Sequence, residues 1–355
     1  MSILRRDFGA MPDGSPVYEY ELENRSGLKV SILTLGATLR SIVIKDKTGV
    51  ERDLLLGFDT VEDYLTRHDY QGVIVGPVAN RIAKGELPIG TTTYELVKNE
   101  KDKLCLHSNA EYNTANWRAL IADADRIEFS YVHPDGANGF PGEIRNTVSY
   151  TLTDDGELKI AYHAVSDRDT YLNLTNHAYF NLNGYDGGDV LGHIVRIDSD
   201  AITEVDPDSI PTGRLDPVEG TPFDFRAEKP IGRDVNADDP QLLIGGGYDH
   251  NFCLRENPDR ACREVARVRS AETGINMQVF TDLPGVQFYI GNFLHGQPGK
   301  ENVPMIKRAG LCLETQFYPD TPHRPEFPSC LFKKGQPFDS ETIYRFSVDK
   351  ENETE

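Results

Sequence analysis

The chain has 355 residues, and 37 lysines and arginines stand against 57 aspartates and glutamates, for a formal net charge of −20 at pH 7. So acidic a protein is a poor match for a phosphate backbone, which argues against nucleic-acid binding. No apolar run in the sequence approaches the roughly 18 to 20 residues that span a bilayer, so we expect no membrane contact. With 38% hydrophobic residues, the chain can bury a large core.

The five cysteines are widely spaced, odd in number and without a C-x-x-C pair. This pattern argues against a disulfide framework and against a zinc-finger-like site. The N-terminal segment MSILRRDFGAMPDG carries charges where a signal peptide needs its apolar region. We therefore expect a cytoplasmic enzyme.

In chain order, the predicted elements are nearly all strands. Alternating or β-rich runs cover residues 30–35, 39–44, 127–131, 148–152, 158–164, 276–281, 286–290, 311–314 and 343–348, and residues 61–67 form the most plausible helix. The turn Asp154-Asp155-Gly156 predicts an antiparallel hairpin between two of these runs. Because strands do not alternate with long helices, a parallel α/β sheet is disfavoured. The pattern predicts an all-β fold, a large antiparallel β-sandwich, as a single domain over residues 1–355.

Several familiar cofactor motifs are missing from the sequence. The glycine run at 245–247 lacks the third glycine of a dinucleotide fingerprint, and there is no P-loop, H-E-x-x-H or G-x-S-x-G motif. The nine histidines show no metal-binding spacing. Nicotinamide, nucleotide and zinc-hydrolase chemistries are accordingly disfavoured.

Four polar segments remain as candidates for a site: 76–85, 173–182, 247–252 and 310–317. They contain Arg81, His177, Asp249 and Glu314, respectively. Arginine offers a rigid fork of donors that suits hydroxyls and carboxylates. Taken singly, a loop arginine, a structural histidine, a turn aspartate and an edge glutamate would explain the four equally well.

The segment 310–317 gives a further geometric hint. If Leu311 and Leu313 face the core, Cys312 and Glu314 share the opposite face of the strand, because side chains alternate along a strand.

Together, the segments NRIAKG, NHAYFNL, GYDHNF, PGVQFYIGNFL and LETQFYPDTPHRPEFPS resemble those of the aldose 1-epimerases (galactose mutarotases), in the same order and rough spacing. The resemblance runs from the early GATLRSIVIKD segment to the final strand. It implies a galactose mutarotase-like supersandwich with an open sugar cleft, and neither metal nor organic cofactor. The implied activity is that of an isomerase, which interconverts the α and β anomers of free aldoses such as glucose and galactose.

Carried over to this chain, the resemblance makes Glu314 the general base and His177 the general acid. The residues that would line the sugar site are Asn80, Arg81, His107, Tyr179, Asp249, Gln287 and Phe288. One departure concerns the family's L-H-G-G motif, which here reads Leu106-His107-Ser108-Asn109. Asparagine tolerates a left-handed backbone better than serine does. The departure therefore bears on the geometry of the loop that holds His107 and on substrate preference.

Mutarotation needs a proton taken from the anomeric hydroxyl and one delivered to the ring oxygen, and a carboxylate with an imidazole supplies that pair near neutral pH. With ordinary pKa values, Glu314 would set the acidic limb of the pH profile and His177 the alkaline limb. Three alternatives stay open: a glycoside hydrolase that uses two carboxylates, a non-catalytic sugar-binding module, and a related hexose-phosphate or disaccharide epimerase. The preferred aldose is left open, as is the choice between monomer and homodimer.

Overall fold

The computed structural model describes residues 2–67 and 69–349, in which strands dominate. The first sheet consists, in order, of Ser2–Ala10, Pro16–Glu23, Lys29–Leu33, Leu39–Lys45 and Glu51–Asp53. The nine-stranded sheet consists of Arg118–Ile121, Arg126–His133, Ile144–Leu152, Glu157–Ser166, Pro337–Val348, Ile275–Thr281, Arg263–Arg269, Ile194–Ile197 and Lys229–Pro230. A third sheet, here named the cleft sheet, consists of Pro211–Pro217, Ser199–Val205, Asp249–Leu254, Gly285–Tyr289 and Cys312–Gln316.

The remaining elements are short. Two-stranded pairs are Ile74–Val75 with Thr175–Asn176, Arg81–Ile82 with Cys105–Leu106, Glu86–Ile89 with Thr92–Glu95, Thr170–Tyr171 with Leu331–Phe332, and Gln297–Pro298 with Pro304–Met305. The α-helices are Val61–Thr66, Glu111–Thr114 and Pro240–Gly245. Across residues 2–67 and 69–349, no helix has the length and apolar character that crossing a membrane requires.

The predicted hairpin shows how the sequence pattern forms a sheet. Strands Ile144–Leu152 and Glu157–Ser166 pair antiparallel in regular register, and every second side chain on the first of them is buried. Gly156 closes the turn with a φ of +79°, a left-handed conformation that glycine adopts without a steric penalty. The hairpin and the short helix at 61–66 are confirmed.

Both five-stranded sheets pack against the nine-stranded sheet. The rings of Tyr20 in the first sheet and Phe129 in the nine-stranded sheet meet edge to face at 6.2 Å. On the same face of the nine-stranded sheet, the Tyr344 hydroxyl donates to the Leu313 carbonyl of the cleft sheet at 3.5 Å. A single cluster of buried apolar side chains includes members of all three sheets. The all-β sandwich is therefore confirmed, while the single domain over residues 1–355 stays a prediction.

Several buried histidines make the stability of this fold depend on pH. Burial lowers the pKa of His193 to about 4 and that of His250 to about 3. Their pKa in the unfolded chain is near the ordinary 6.5, so below that pH the unfolded state binds protons that the folded state does not. We expect each such group to lower the free energy of unfolding by about 1.4 kcal/mol per pH unit between pH 6.5 and its folded pKa.

Urea unfolding at pH 7.5 and pH 5.0 measures this loss. In His193→Gln, which has no imidazole to protonate, the difference between the two pH values should shrink. His163→Gln is the control, because that side chain is half exposed. An undiminished difference in His193→Gln would contradict the explanation.

Candidate active site

Three adjacent strands of the cleft sheet bring a set of polar side chains together. Gln287 lies directly opposite Glu314 in the sheet register. It also donates from Nε2 to Asp249 Oδ1 at 2.7 Å. Glu314 is only 2% exposed, and Leu313 beside it points into the main core, as the alternation predicts. The sheet thus holds two carboxyl groups and an amide on one face.

His177 reaches the same place from another element. It directly follows the short strand Thr175–Asn176, and its backbone is fixed by a hydrogen bond from His177 N–H to the Val73 carbonyl at 3.0 Å. Its Nε2 lies 3.6 Å from Oε1 of Glu314, and its Nδ1 lies 3.6 Å from the Cys312 sulfur. The ring of Tyr179 stacks on the imidazole at 5.1 Å. The predicted acid and base are therefore neighbours.

Phe288 does not join them, so its assignment to the sugar site is wrong. Its side chain is fully buried in the core and stacks on Tyr248 at 5.5 Å. The reason is the strand period of two, since Gln287 and Tyr289 occupy the cavity side and Phe288 must point the other way. Tyr289 is the aromatic residue of this strand that lines the cavity.

Arg81 is held by a carboxylate that the sequence analysis did not single out. Its Nε and Nη2 donate to the two oxygens of Glu100 at 2.8 and 2.9 Å, which is the bidentate geometry that best suits arginine. Burial alone would lower the pKa of Arg81, but the bond to Glu100 and the nearby acidic groups of Asp249, Glu100 and Glu314 together outweigh it and keep the pKa above its ordinary value. Arg81 thus presents a fixed positive charge at the cavity.

His107 and Asn80 hold each other across the pair of short strands at 81–82 and 105–106. The His107 N–H donates to the Asn80 carbonyl at 3.0 Å, and the Asn80 N–H donates to His107 Nδ1 at 3.2 Å. Backbone φ is positive at His107, Ser108, Asn109 and Ala110. The loop therefore adopts a left-handed conformation even though serine and asparagine replace the glycines.

These side chains surround a cavity of about 430 Å³. It is lined by Asp69, Tyr70, Asn80, Arg81, Glu100, Lys101, Leu106, His107, His177, Tyr179, Pro207, Ser209, Ile244, Asp249, Gln287, Tyr289, Phe293, Leu294 and Glu314. All of the residues assigned by the sequence analysis except Phe288 are among them. Tyr289 could have been found from its alternation with Gln287. Tyr70, Glu100 and Lys101 lie in loops, where no period marks them.

Burial sets the protonation of the catalytic candidates. It lowers the pKa of His177 to about 4 and lowers that of His107 well below 6.5. It raises the pKa of Glu314 well above 4.5, with a smaller upward contribution from Asp249 and a downward one from Arg81. At neutral pH both imidazoles are therefore neutral, and burial shifts Glu314 towards its protonated form.

The side chains of His107, His177 and Glu314 also place one ligand-type atom each within 4.8 Å of one another, a donor set that zinc could use. However, His107 Nδ1 accepts the N–H of Asn80. The neutral ring then carries its hydrogen on Nε2 and has no lone pair left for a metal. The three residues therefore do not fit a metal ion.

Dialysis against EDTA, followed by metal analysis and a polarimetric assay of anomer exchange, tests this reading. We expect the rate to stay unchanged as the residual metal content falls, because only proton-transfer groups are needed. Loss of activity that a single divalent metal restores would contradict it.

Comparison with known proteins gives the same picture. The sequence model of the family described as aldose 1-epimerase matches residues 18–345. The chain is 40% identical to the galactose mutarotase of Mus musculus over 98% of this chain and 99% of that one. It is 37% identical to the aldose 1-epimerase of Escherichia coli K12 over 94% of this chain and 96% of that one.

Solved structures agree as well. An aldose epimerase homologue from C. elegans superimposes with a TM-score of 0.85 at 31% identity, covering 92% of this chain and 98% of that one. A galactose 1-epimerase from Lactobacillus acidophilus superimposes with a TM-score of 0.86 at 26% identity, covering 98% and 99%. With a matching family model over most of the chain and relatives that cover nearly all of it, this protein belongs to the aldose 1-epimerase family of isomerases.

Proposed function

We propose that Glu314 and His177 catalyse mutarotation of free aldoses at the cavity between them. The Glu314 carboxylate takes the proton of the anomeric hydroxyl, the C1–O1 double bond forms as the bond from C1 to the ring oxygen breaks, and protonated His177 gives its proton to the ring oxygen. The open-chain aldehyde turns about the C1–C2 bond. His177 then takes the proton back, the ring closes on the other face, and Glu314 returns the first proton to O1. The pair ends as it began.

The observation that carries this proposal is the separation of 3.6 Å between His177 Nε2 and Glu314 Oε1. At that distance one sugar ring edge can meet both groups, which general acid–base catalysis requires. The pair needs one proton in total. Burial favours the neutral form of the pair, in which that proton lies on Glu314. The charge of Arg81 lowers the pKa of Glu314 and so favours the ionic form, in which the proton lies on His177. Both forms hold the same single proton.

Ground-state binding falls to the hydrogen-bonding groups around the pair. The Nε2–H of His107, the fixed guanidinium of Arg81 and the carboxyl of Asp249 face the same cavity. They would hold the ring hydroxyls, because a sugar free to tumble gains little from two fixed catalysts. A phosphorylated hexose is disfavoured, since Arg81 and Lys101 are already paired with Glu100 and Asp208.

We propose glucose and galactose as substrates. The names of the animal relatives, which are galactose mutarotases, support galactose, and the proton-transfer chemistry of the site applies equally to glucose. Two-dimensional exchange NMR at equilibrium measures α-to-β conversion for each sugar directly. Exchange well above the uncatalysed rate is expected for both. Exchange at the uncatalysed rate for every aldose tried, together with hydrolysis of an aryl glycoside, would reject mutarotation in favour of a hydrolase.

We also propose that the protein works in the cytoplasm, as a monomer or a homodimer. The five cysteines are free, which suits a reducing compartment. Cell fractionation tests the compartment, and size-exclusion chromatography with light scattering distinguishes the two oligomeric states.

A further inference from the structure

Ser108 combines a strained backbone with an unusually well-used side chain. Its φ is 51° and its ψ is 33°, a left-handed conformation that costs energy for a residue with a Cβ atom. Ser108 is 1% exposed. Its hydroxyl accepts a hydrogen bond from the Val78 N–H at 2.9 Å and donates one to the Val78 carbonyl at 2.8 Å. Glycine would take the same backbone without strain but could make neither bond. At this position serine therefore has a strained backbone but makes two hydrogen bonds that glycine cannot make.

Those bonds join two segments of the sugar site. Ser108 directly follows His107, and Val78 lies two residues before Asn80. On its other side, the Val78 segment bonds to Asn173, through Ala79 N–H to the Asn173 carbonyl and Asn173 N–H to the Pro77 carbonyl, both at 2.8 Å. Asn173 is four residues before His177. These two backbone bonds do not involve Ser108 and hold the strand that leads to His177, so loss of the serine's bonds would be felt at His107 and Asn80 rather than at His177.

The neighbouring residue supports the same loop. The side-chain amide of Asn109 donates to Asn138 Oδ1 at 3.1 Å, and that of Asn138 donates to the Ser108 carbonyl at 3.1 Å. Both replacements of the family's glycines therefore have their own hydrogen-bond partners, and the loop is held by side chains as well as by its backbone.

We propose that Ser108 is a positioning residue for sugar binding: its hydroxyl keeps His107 and Asn80 in register by clamping the backbone of Val78. The inference rests on the proposed function, in which His107 and Asn80 bind the sugar. Glu314 and its strand lie on the cleft sheet and make no bond to this clamp. Loss of the clamp should therefore weaken binding while leaving proton transfer nearly intact.

The first test is Ser108→Ala, which keeps the strain, removes both bonds and leaves the buried Val78 N–H without its partner. We expect KM for galactose to rise about tenfold and kcat to stay within about threefold, the pattern of lost uniform binding. Amide exchange measured at Val78 should become faster. Ser31→Ala, at a buried serine of the first sheet, is the matched control and should change neither KM nor exchange at Val78.

Ser108→Gly covers the case in which the alanine variant fails to fold, since glycine also relieves the strain. It should raise KM and speed Val78 exchange with a smaller loss of stability. If the parent is active and the folded Ser108→Gly variant has an unchanged KM, the role of Ser108 is overturned while the proposed function stands. A parent without mutarotase activity overturns the proposed function and this inference with it.

Discussion

Replacing Glu314 by glutamine should lower kcat for mutarotation by about 10²-fold or more, because the amide keeps the shape of the side chain but can neither accept nor return the anomeric proton. Galactose should still bind with an affinity within a few-fold of the parent, since the hydroxyl-binding groups are untouched. Exchange NMR gives the rate and isothermal titration gives the affinity.

The fold should survive this change. Glu314 is buried, and among the described residues its Oε2 has no hydrogen-bond partner. The carboxyl therefore destabilises the folded state and is retained for its function. We expect Glu314→Gln to melt at the same temperature as the parent or higher. Glu157→Gln, on the nine-stranded sheet and paired with Arg345, is the matched control and should retain full activity. A folded Glu314→Gln protein with activity within a few-fold of the parent would remove Glu314 from the mechanism.

The sequence could predict the strands because one face of each is buried, and the period of two survives in the residue pattern. It could not predict their order in the sheets. Pro337–Val348 pairs with both Glu157–Ser166 and Ile275–Thr281, so the chain returns across more than a hundred residues to fill a central position. Pairing over such a distance leaves no local signal.

The residues of the candidate site likewise divide into those that a strand pattern predicts and those that only the fold brings together. Glu314 and Gln287 lie on strands, so alternation alone fixes which face they share, and the same rule would have moved the aromatic assignment from Phe288 to Tyr289. Glu100, by contrast, lies in a loop and bonds to Arg81 across 19 residues of sequence. No periodic pattern marks Glu100 as a partner, and only the structure shows that Arg81 is paired with it.

The protonation of the site also departs from the sequence-based expectation. With ordinary pKa values, Glu314 would titrate on the acidic limb and His177 on the alkaline limb. Burial reverses that order, since it lowers the pKa of His177 to about 4 and raises that of Glu314 well above 4.5. Because the two groups lie so close, the two observed pKa values belong to the pair as a whole.

For His177→Asn we expect kcat to fall by about 10²-fold or more with little change in KM, because the ring-oxygen proton moves chiefly in the transition state. In the parent, kcat/KM should fall on the acidic side as the pair gains a second proton at His177, near pH 4. It should fall on the alkaline side as the pair loses its only proton, from Glu314, at a pH well above 4.5. Removing the imidazole should replace this bell by a single rise, because the residual activity needs the Glu314 carboxylate and should increase with pH through the raised pKa of Glu314, with no fall on the alkaline side. His323→Asn, whose ring pairs with Asp320, is the control and should keep both limbs. If the residual activity of His177→Asn instead rose at the same pH as the acidic limb of the parent, that limb would belong to Glu314, the proton of the pair would rest on His177, and the assignment drawn from burial would be wrong.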